Sequence, residues 1–248
     1  MKPRRVHFFA TCLIDLFAPR AGMAAIELLE QAGIEVLYPE GQGCCGQPAW
    51  NAGYRREVRR VIEAQLALFP GEEPIVVPSA SCAGMMRHHW PEAFEPGTEL
   101  RALAQQRAAR VVEWSDFMVR EVAPDWPRVA EGETVVLHDS CSARREMGVA
   151  GQARALLEAI GAEVREPEGA ETCCGFGGSF AVKQADISGA MLADKMVAIE
   201  ATSASTLLSQ DCGCLMHIGG GFGKRGRSLC VQHVAEFLWQ RLMPEPGS

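Results

Sequence analysis

Gly43-Cys44-Cys45-Gly46 and Thr172-Cys173-Cys174-Gly175 are the two most informative stretches of this sequence. Each places two thiols side by side, within one turn of backbone. A hydrophobic core gains little from such a pair, whereas a multinuclear metal centre can bind both thiolates. We therefore expect the rest of each half to supply the remaining ligands of a metal site.

The cysteines recur along the chain with the same spacing. Cys44 lies 32 residues after Cys12, and Cys173 lies 32 residues after Cys141. Each Cys pair also follows a Pro-Glu-Gly turn. A spacing and a turn that match in both halves predict a tandem duplication.

Each half alternates short apolar strands with helices, which indicates parallel βαβ units. We predict two similar α/β domains, residues 1–128 and 129–248, with short parallel sheets and a pseudo-twofold relation. The predicted strands span 6–9, 34–37, 75–77, 135–137, 163–164 and 206–208. The predicted helices span 21–31, 51–69 and 152–160.

Four cysteines in each half come just after predicted strands, and ligands of open α/β sheets gather outside the carboxyl ends of strands. These candidate metal and cofactor ligands are Cys12, Cys44, Cys45, Cys82, Cys141, Cys173, Cys174 and Cys214. Four thiolates suit an iron–sulfur cluster and also suit zinc, although zinc usually takes short Cys-x-x-Cys hooks. The other alternative is a set of buried free cysteines that act as small hydrophobes. That interpretation suits Cys230, which has no repeat counterpart, and Cys212 stays undecided.

These residues resemble the CCG-domain, or cysteine-rich domain, family, which includes the catalytic subunit of heterodisulfide reductase and the iron–sulfur subunit of glycolate oxidase. The family pattern is a cysteine, a Cys-Cys-Gly run and a Cys-x-x-Cys run, in two copies that here cover nearly the whole chain. Residues 78–82 and 211–220 look most like the lactate-utilisation branch of the family.

The resemblance implies iron–sulfur clusters of the [4Fe–4S] type, one per half, bound by the eight cysteines. It implies an electron-transfer subunit of a multi-subunit L-lactate oxidation system, with other iron–sulfur subunits as partners, rather than a stand-alone enzyme. The alternative it implies is a catalytic thiol–disulfide redox subunit, as in heterodisulfide reductase. A structural zinc protein is a third hypothesis, from the cysteines alone.

The sequence departs from the family pattern at the first cysteine of each Cys-x-x-Cys run. Ser79 and Asp211 stand at these positions, so each half keeps four cysteines. A fused non-cubane cluster, an ordinary cubane and a smaller labile cluster therefore all remain open. Ser79 and Asp211 are either oxygen ligands or, as we favour, caps of the helices that follow.

Several polar residues flank the cysteines. His217 is the best functional candidate among the histidines, ahead of His138, His88 and His89. We expect Arg144 and Arg145 to be solvated helix residues. The glycine-rich runs 175–178 and 219–223 fit no phosphate-loop pattern and suit close backbone approach to sulfur.

Composition limits the possible partners. The net charge is −7 without a block of Lys or Arg, which argues against nucleic-acid binding. Ten cysteines clustered in short spacings indicate metal or redox chemistry in a reducing compartment. Because the apolar run at 6–9 suits a strand better than a signal peptide, we predict a cytoplasmic protein without direct membrane insertion.

Overall fold

The computed structural model describes residues 3–243, which form two four-stranded sheets whose strands are all parallel. The first sheet has strands β1 (Arg5–Phe8), β2 (Glu35–Leu37), β3 (Ile75–Val77) and β4 (Val111–Glu113). The second has β5 (Thr134–Leu137), β6 (Glu163–Arg165), β7 (Thr206–Ser209) and β8 (Cys230–His233). Their orders, β2-β1-β3-β4 and β6-β5-β7-β8, are the same order repeated. The predicted duplicated α/β fold is confirmed.

Helices follow nearly every strand. The first half contains α1 (Cys12–Phe17), α2 (Pro19–Gln31), α3 (Gln47–Asn51), α4 (Arg55–Leu66), α5 (Ala80–Gly84), α6 (Glu99–Ala108) and α7 (Trp114–Phe117). It also has π-helical turns at Met85–His89 and Met118–Val122 and a 3-10 turn at Pro91–Ala93. The second half contains α8 (Cys141–Arg145), α9 (Gln152–Ala159), α10 (Phe180–Lys183), α11 (Ala185–Ala201), α12 (Cys212–Lys224) and α13 (Val234–Leu242).

The predicted helix over 51–69 is wrong in its extent. Two helices, α3 and α4, occupy this region, and the chain turns between them at Gly53, whose φ is 81°. The sequence shows one amphipathic pattern there, because the apolar residues of α4 dominate it. The predictions for 21–31 and 152–160 match α2 and α9 closely.

The central strands are buried on both faces. All three residues of β3 are buried, as are the last three of β5 and of β7. Continuous apolar strands of this kind need helices on both sides of the sheet. The strands therefore run through the interior, and their carboxyl ends open toward the loops that carry the cysteines.

One hydrophobic core is shared by both halves. It includes Val6 and Phe8 from the first sheet and Val135 and Leu137 from the second. Helix α13 of the second half packs on α2 of the first, and α7 of the first half packs on α9 of the second. Because α7 corresponds to α13 and α2 to α9, the same pair of helices meets twice with the halves exchanged. Side chains link both contacts, since Trp239 Nε1 donates to Glu27 Oε2 at 2.6 Å and Gln152 Nε2 donates to Asp116 Oδ1 at 2.8 Å. Reciprocal contacts of this kind are those of a twofold arrangement.

The boundary between residues 1–128 and 129–248 stays a prediction, although the segment 123–133 between the two sheets contains no helix or strand. Among residues 3–243, no helix combines the length and apolar character needed to cross a membrane.

Candidate metal centre

The predicted ligands lie where the strands end. Cys12 begins α1 a few residues after β1, and Cys82 lies in α5 just after β3. The Cys44–Cys45 pair lies in the loop between β2 and α3. Because these strands are neighbours in one parallel sheet, their carboxyl ends bring the four thiols together. The second half repeats this placement.

The four thiols of the first half form a connected series. The Cys12 thiol donates to Cys44, whose pKa is lowered to about 3 by this bond and by a second one from Cys45. The same bond raises the pKa of Cys12. The Cys45 and Cys82 sulfurs lie 3.2 Å apart. Thiols this close, with one of them poised as a thiolate, can bind one metal centre together.

The second half contains the same series. Cys141 donates to Cys173 and lowers its pKa to about 2. The Cys174 and Cys214 sulfurs lie 3.3 Å apart, and the bond from Cys174 lowers the pKa of Cys214 to about 7 although burial opposes it. Cys45, Cys174 and Cys214 are buried, so their thiols face the site rather than solvent.

The glycine that follows each Cys pair is required by the backbone. Gly46 has a φ of 93° and Gly175 has a φ of 92°. A Cβ on Gly46 would lie 2.8 Å from Val58 Cγ2, and one on Gly175 would lie 2.7 Å from the Ser188 carbonyl oxygen. In this conformation the N–H of each glycine donates to the first sulfur of its pair at 3.4 Å. The Cys-Cys-Gly motif therefore supplies two thiols and one backbone donor to sulfur.

Ser79 and Asp211, which replace the fifth cysteine of each half, are bonded to each other. Asp211 Oδ1 accepts hydrogen bonds from Ser79 Oγ at 2.6 Å, Ser81 Oγ at 2.7 Å and Ser81 N at 3.2 Å. Ser79 Oγ also accepts from Cys82 N, which confirms its predicted role as the cap of α5. Asp211 makes no side-chain cap of α12, so the capping prediction is wrong for that residue. Its carboxylate instead joins the Cys82 loop of one half to the Cys214 loop of the other.

Both sets of thiols face one cavity of about 250 Å³ between the halves. All eight predicted ligands line it, together with other residues that include Gln47, Asn51, Phe176 and Cys212. Cys212 is buried, and burial rather than a bond to another thiol is the largest cause that raises its pKa to about 12, so it differs from the connected thiols. Cys230 is exposed at the start of β8, which corrects its interpretation as a buried hydrophobe.

His138, rather than His217, is the histidine beside the thiols. Its side chain is 1% exposed, and its ligand atom and the sulfurs of Cys174 and Cys214 all lie within 4.8 Å of one another. Within residues 3–243, neither ring nitrogen has a hydrogen-bond partner of normal geometry. His217 lies instead against Ser188, with Nε2 3.3 Å from the Ser188 hydroxyl. In the sequence, the feature that could have singled out His138 is its place directly after β5, the strand that leads to Cys141.

The arginines and the remaining histidines have structural partners. Arg144 is half-buried and pairs with Glu166 at 3.0 Å and Asp139 at 3.6 Å, so the prediction of a solvated side chain is wrong for it. Arg145 is exposed, as predicted, and donates to a backbone carbonyl. His88 bonds the Glu146 carbonyl, and His89 stacks on Trp50, away from the thiols.

The donor set fits a thiolate-bound metal centre in each half. Thiols are weak hydrogen-bond donors and acceptors, so four thiols that contact one another in series are poorly satisfied. A cation bound by all four as thiolates would satisfy them. Vicinal thiols suit a multinuclear cluster, whose separate irons each take one sulfur. A metal would be held by Cys12, Cys44, Cys45 and Cys82 in one half and by Cys141, Cys173, Cys174 and Cys214 in the other.

This chain is similar in sequence to known proteins. The CCG cysteine-rich domain family matches residues 6–87 and again residues 135–219. Lactate utilization protein A 2 of Bacillus cereus is 40% identical over 236 residues, which are 94% of this chain and 97% of that protein. Lactate utilization protein A of Bacillus velezensis is 39% identical over 238 residues, 96% of this chain and 100% of that protein.

A crystal structure of a hypothetical protein from Helicobacter pylori superposes with a TM-score of 0.68 at 9% identity. The match covers 99% of this chain and 50% of that one, so this chain spans half its length, and the likeness concerns the fold alone. The Cys-Cys-Gly motif, its two copies and the relatives that match over nearly their full length all indicate the same family. The chain belongs to the CCG family of cysteine-rich domain proteins.

Proposed function

We propose that this chain is an iron–sulfur electron-transfer subunit of a multi-subunit system that oxidises L-lactate, with one cluster in each half. The observation that carries the proposal is the pair of four-thiol sets, each in contact through sulfur and both facing one cavity. The names of the relatives, lactate utilization protein A, support lactate as the substrate class of the whole system.

The residues of the chain bind, orient and shield the proposed centres. The cysteines hold iron as thiolates, and the series of thiol contacts favours that charge state at Cys44 and Cys173. Gly46 and Gly175 donate backbone N–H groups to sulfur, which tunes the potential of a cluster. A bound iron–sulfur cluster supplies one-electron transfer, and the protein supplies position and electrostatics.

We propose a [4Fe–4S] cluster bound by four cysteines in each half. The hydrogen bonds between Ser79, Ser81 and Asp211 Oδ1 support this choice, because they engage Ser79 Oγ and one of the two carboxylate oxygens of Asp211, the side chains that replace the fifth cysteines. The proposed partners are other iron–sulfur subunits that exchange electrons with the chain. Their contact is expected near the carboxyl ends of the strands, where the thiols lie closest to the surface, in the cytoplasm.

Metal and sulfide analysis of anaerobically prepared protein tests the cofactor. We expect a brown protein with about eight iron and eight acid-labile sulfide per chain, as two [4Fe–4S] clusters require. Cys230→Ser is the matched control and should keep full loading, since Cys230 is exposed and outside both thiol sets. Stoichiometric zinc without sulfide after anaerobic reconstitution would contradict the proposal.

Assays of the loaded chain test its role as a subunit. Alone, it should not oxidise lactate with a dye acceptor, and activity should appear only with the partner subunits. Robust lactate turnover by this polypeptide on its own would contradict the proposal and make it an enzyme in its own right.

A second candidate function is thiol–disulfide redox chemistry in the cavity. It is favoured by one observation, the cavity of about 250 Å³ that both thiol sets line, which has room for a small sulfur compound. Reduction of a small disulfide by the pre-reduced, loaded chain, at a rate that depends on disulfide concentration, would favour this function over simple electron transfer.

A further inference from the structure

The two halves repeat each other in fold and in thiols, but they differ in the charged and polar groups beside those thiols. We propose that the second site has the higher reduction potential and accepts the first electron, while the first site stays oxidised. This inference rests on the proposed function, because it assumes that both sites hold iron–sulfur clusters.

Lys195 is the first group that breaks the repeat. Its side chain is 2% exposed, and Nζ donates to the Gly169 carbonyl at 2.8 Å, in the loop before the second Cys pair. Gln65 occupies the corresponding place on α4, where Oε1 accepts from Gly43 N at 3.1 Å. Both side chains hold the loop ahead of a Cys pair, but Lys195 brings a buried cation and Gln65 is neutral.

The charge of Lys195 acts on the second thiol pair. Burial lowers the pKa of the Lys195 ammonium, and the negative charges of Cys174 and Cys173 act in the opposite direction and raise it. An attraction that favours the charged lysine also favours extra negative charge at the thiolates, because the interaction is mutual. In a site of low effective dielectric constant, this attraction is stronger than at the surface.

His138 is the second group that breaks the repeat. It directly follows β5, at the place that Phe9 occupies after β1. Phe9 packs among Phe69 and Trp90 and offers no polar atom. His138 presents ring nitrogens beside Cys174 and Cys214. A nitrogen donor close to cluster sulfur, or a nitrogen ligand in place of sulfur, raises the reduction potential.

Two carboxylates near the second site act in the opposite direction, and the negative charge of Asp211 acts to raise the pKa of Cys214 and Cys141. Asp211 lies between the halves, and Oδ1 takes three hydrogen bonds from Ser79 and Ser81 of the first half. Asp139 Oδ1 accepts from Gln210 Nε2, and Arg144 pairs with the same carboxylate. Lys195 and His138 are thus set against Asp139, whose carboxylate is paired, and Asp211, whose Oδ1 is paired while Oδ2 has no hydrogen-bond partner within residues 3–243.

The redox balance is simple. An external one-electron donor, such as a partner iron–sulfur protein, loses one electron and the second site gains it. No bond forms or breaks in this chain, and no proton has to move with the electron.

A potentiometric titration of the anaerobically loaded full chain, followed by electron paramagnetic resonance, tests the inference. We expect two separate one-electron steps, with an electron partitioned at least about tenfold toward the second site, or about 59 mV. Cys45→Ser and Cys174→Ser, which each leave one site, assign the two steps.

Variants that make one half resemble the other identify the cause. Lys195→Gln and His138→Phe should each lower the potential of the second site and leave that of the first unchanged. Gln65→Lys should raise the potential of the first site, and it keeps the inference testable if Lys195→Gln fails to fold. Lys224→Gln is the matched control, because Lys224 is exposed at the far end of α12 and should leave both potentials unchanged.

The outcomes separate the two proposals. A chain without iron and sulfide contradicts the proposed function itself. Two loaded sites with equal potentials, or with the first site higher, overturn only the inference. If the two potentials are unequal but none of the variants Lys195→Gln, His138→Phe and Gln65→Lys changes them, the assignment to these residues is overturned.

Discussion

Single residues around the Cys pairs differ in how much change they tolerate, and the glycines show this directly. Gly175 and Gly151 have nearly the same φ, 92° and 93°. At Gly151 no atom of the described part of the chain, other than its two chain neighbours, lies within 4 Å of an added Cβ, whereas at Gly175 the added Cβ meets a backbone oxygen. Their substitution therefore separates backbone strain from steric conflict.

Gly151→Ala should lower the free energy of unfolding by about 1 kcal/mol, the cost of a left-handed non-glycine residue. Gly175→Ala should cost at least about 1 kcal/mol more and reduce iron loading of the second half, because the Ser188 carbonyl cannot move aside cheaply. Urea unfolding and iron analysis measure both effects. Equal losses for the two variants would show that the close contact does not matter.

Cys45→Ser and Cys174→Ser should each remove or degrade the cluster of one half and leave the other loaded. The reason is that the sulfur contacts run within each half. Iron per chain should fall by about half in each variant, with Cys230→Ser as the unaffected control. A single variant that emptied both sites without unfolding the chain would indicate one bridging centre.

The eight thiols could be predicted from the sequence because the repeat marks them twice. His138 was named from the sequence only as a weaker candidate than His217, and Lys195 was not named, because the informative property is their difference from Phe9 and Gln65. That difference becomes visible only when the strands and helices are aligned in space. The capping prediction for Asp211 failed for a related reason, since its partners Ser79 and Ser81 lie about 130 residues away in sequence.

At the scale of elements, equivalent strand–helix junctions carry different caps. Glu113 joins β4 to α7 and accepts a hydrogen bond from Asp116 N and one from the Ser115 hydroxyl. His233 joins β8 to α13 and accepts from Ala235 N. Glu113 is fully buried, and burial raises its pKa to about 7. The two junctions therefore respond to pH in opposite directions: burial also lowers the pKa of His233, so the second junction loses stability as pH falls, whereas the first loses it as pH rises.

The shift of Glu113 predicts a loss of stability as pH rises. Its pKa in the folded protein, about 7, lies above the unfolded value of 4.5. The folded state thus holds the proton more tightly, and this stabilisation is complete below about pH 4.5 and lost as pH rises through 7. The total is at most about 3 kcal/mol by linkage. Between about pH 5 and pH 8, Glu113→Gln should gain stability relative to the unmodified chain.

Urea unfolding at both pH values measures this gain, with Glu99→Gln at the exposed start of α6 as control. Parallel pH profiles for Glu113→Gln and the unmodified chain would contradict it. At this scale six of the eight strands were predicted from their short apolar runs, and β4 and β8 were missed. The break between α3 and α4 was not, because Gly53 is tolerated inside many amphipathic patterns.

At the scale of the whole molecule, the core is the informative feature. The same cluster of buried side chains draws on both sheets and on α2, α9 and α13. The duplication was predictable from the spacing of the cysteines, but the shared core was not. The sequence of an apolar helix face does not indicate which of the two sheets the helix packs against. Each half buries one face of its sheet in a core of its own, but the other face is buried only in the shared core.

Fragments 1–128 and 129–248, expressed separately, should therefore fail to unfold cooperatively and should be rapidly digested by protease. Expressed together, they should associate and recover protection, since the reciprocal helix contacts need no covalent link. Circular dichroism and limited proteolysis provide the measurements. An isolated half with a sharp unfolding transition would show that its own sheet suffices.

Helix α2 contacts α13 and helix α9 contacts α7 in the same way. This reciprocal arrangement affects which substitutions the sequence of such a molecule can accumulate. Two identical half-length chains could make the same contacts as a symmetric dimer, but every substitution would then appear in both copies. Joining the copies in one polypeptide removes that constraint. A lysine that holds the loop before one thiol pair and a glutamine that holds the loop before the other form an arrangement that no symmetric dimer can reach, and any difference between the two sites needs asymmetry of this kind.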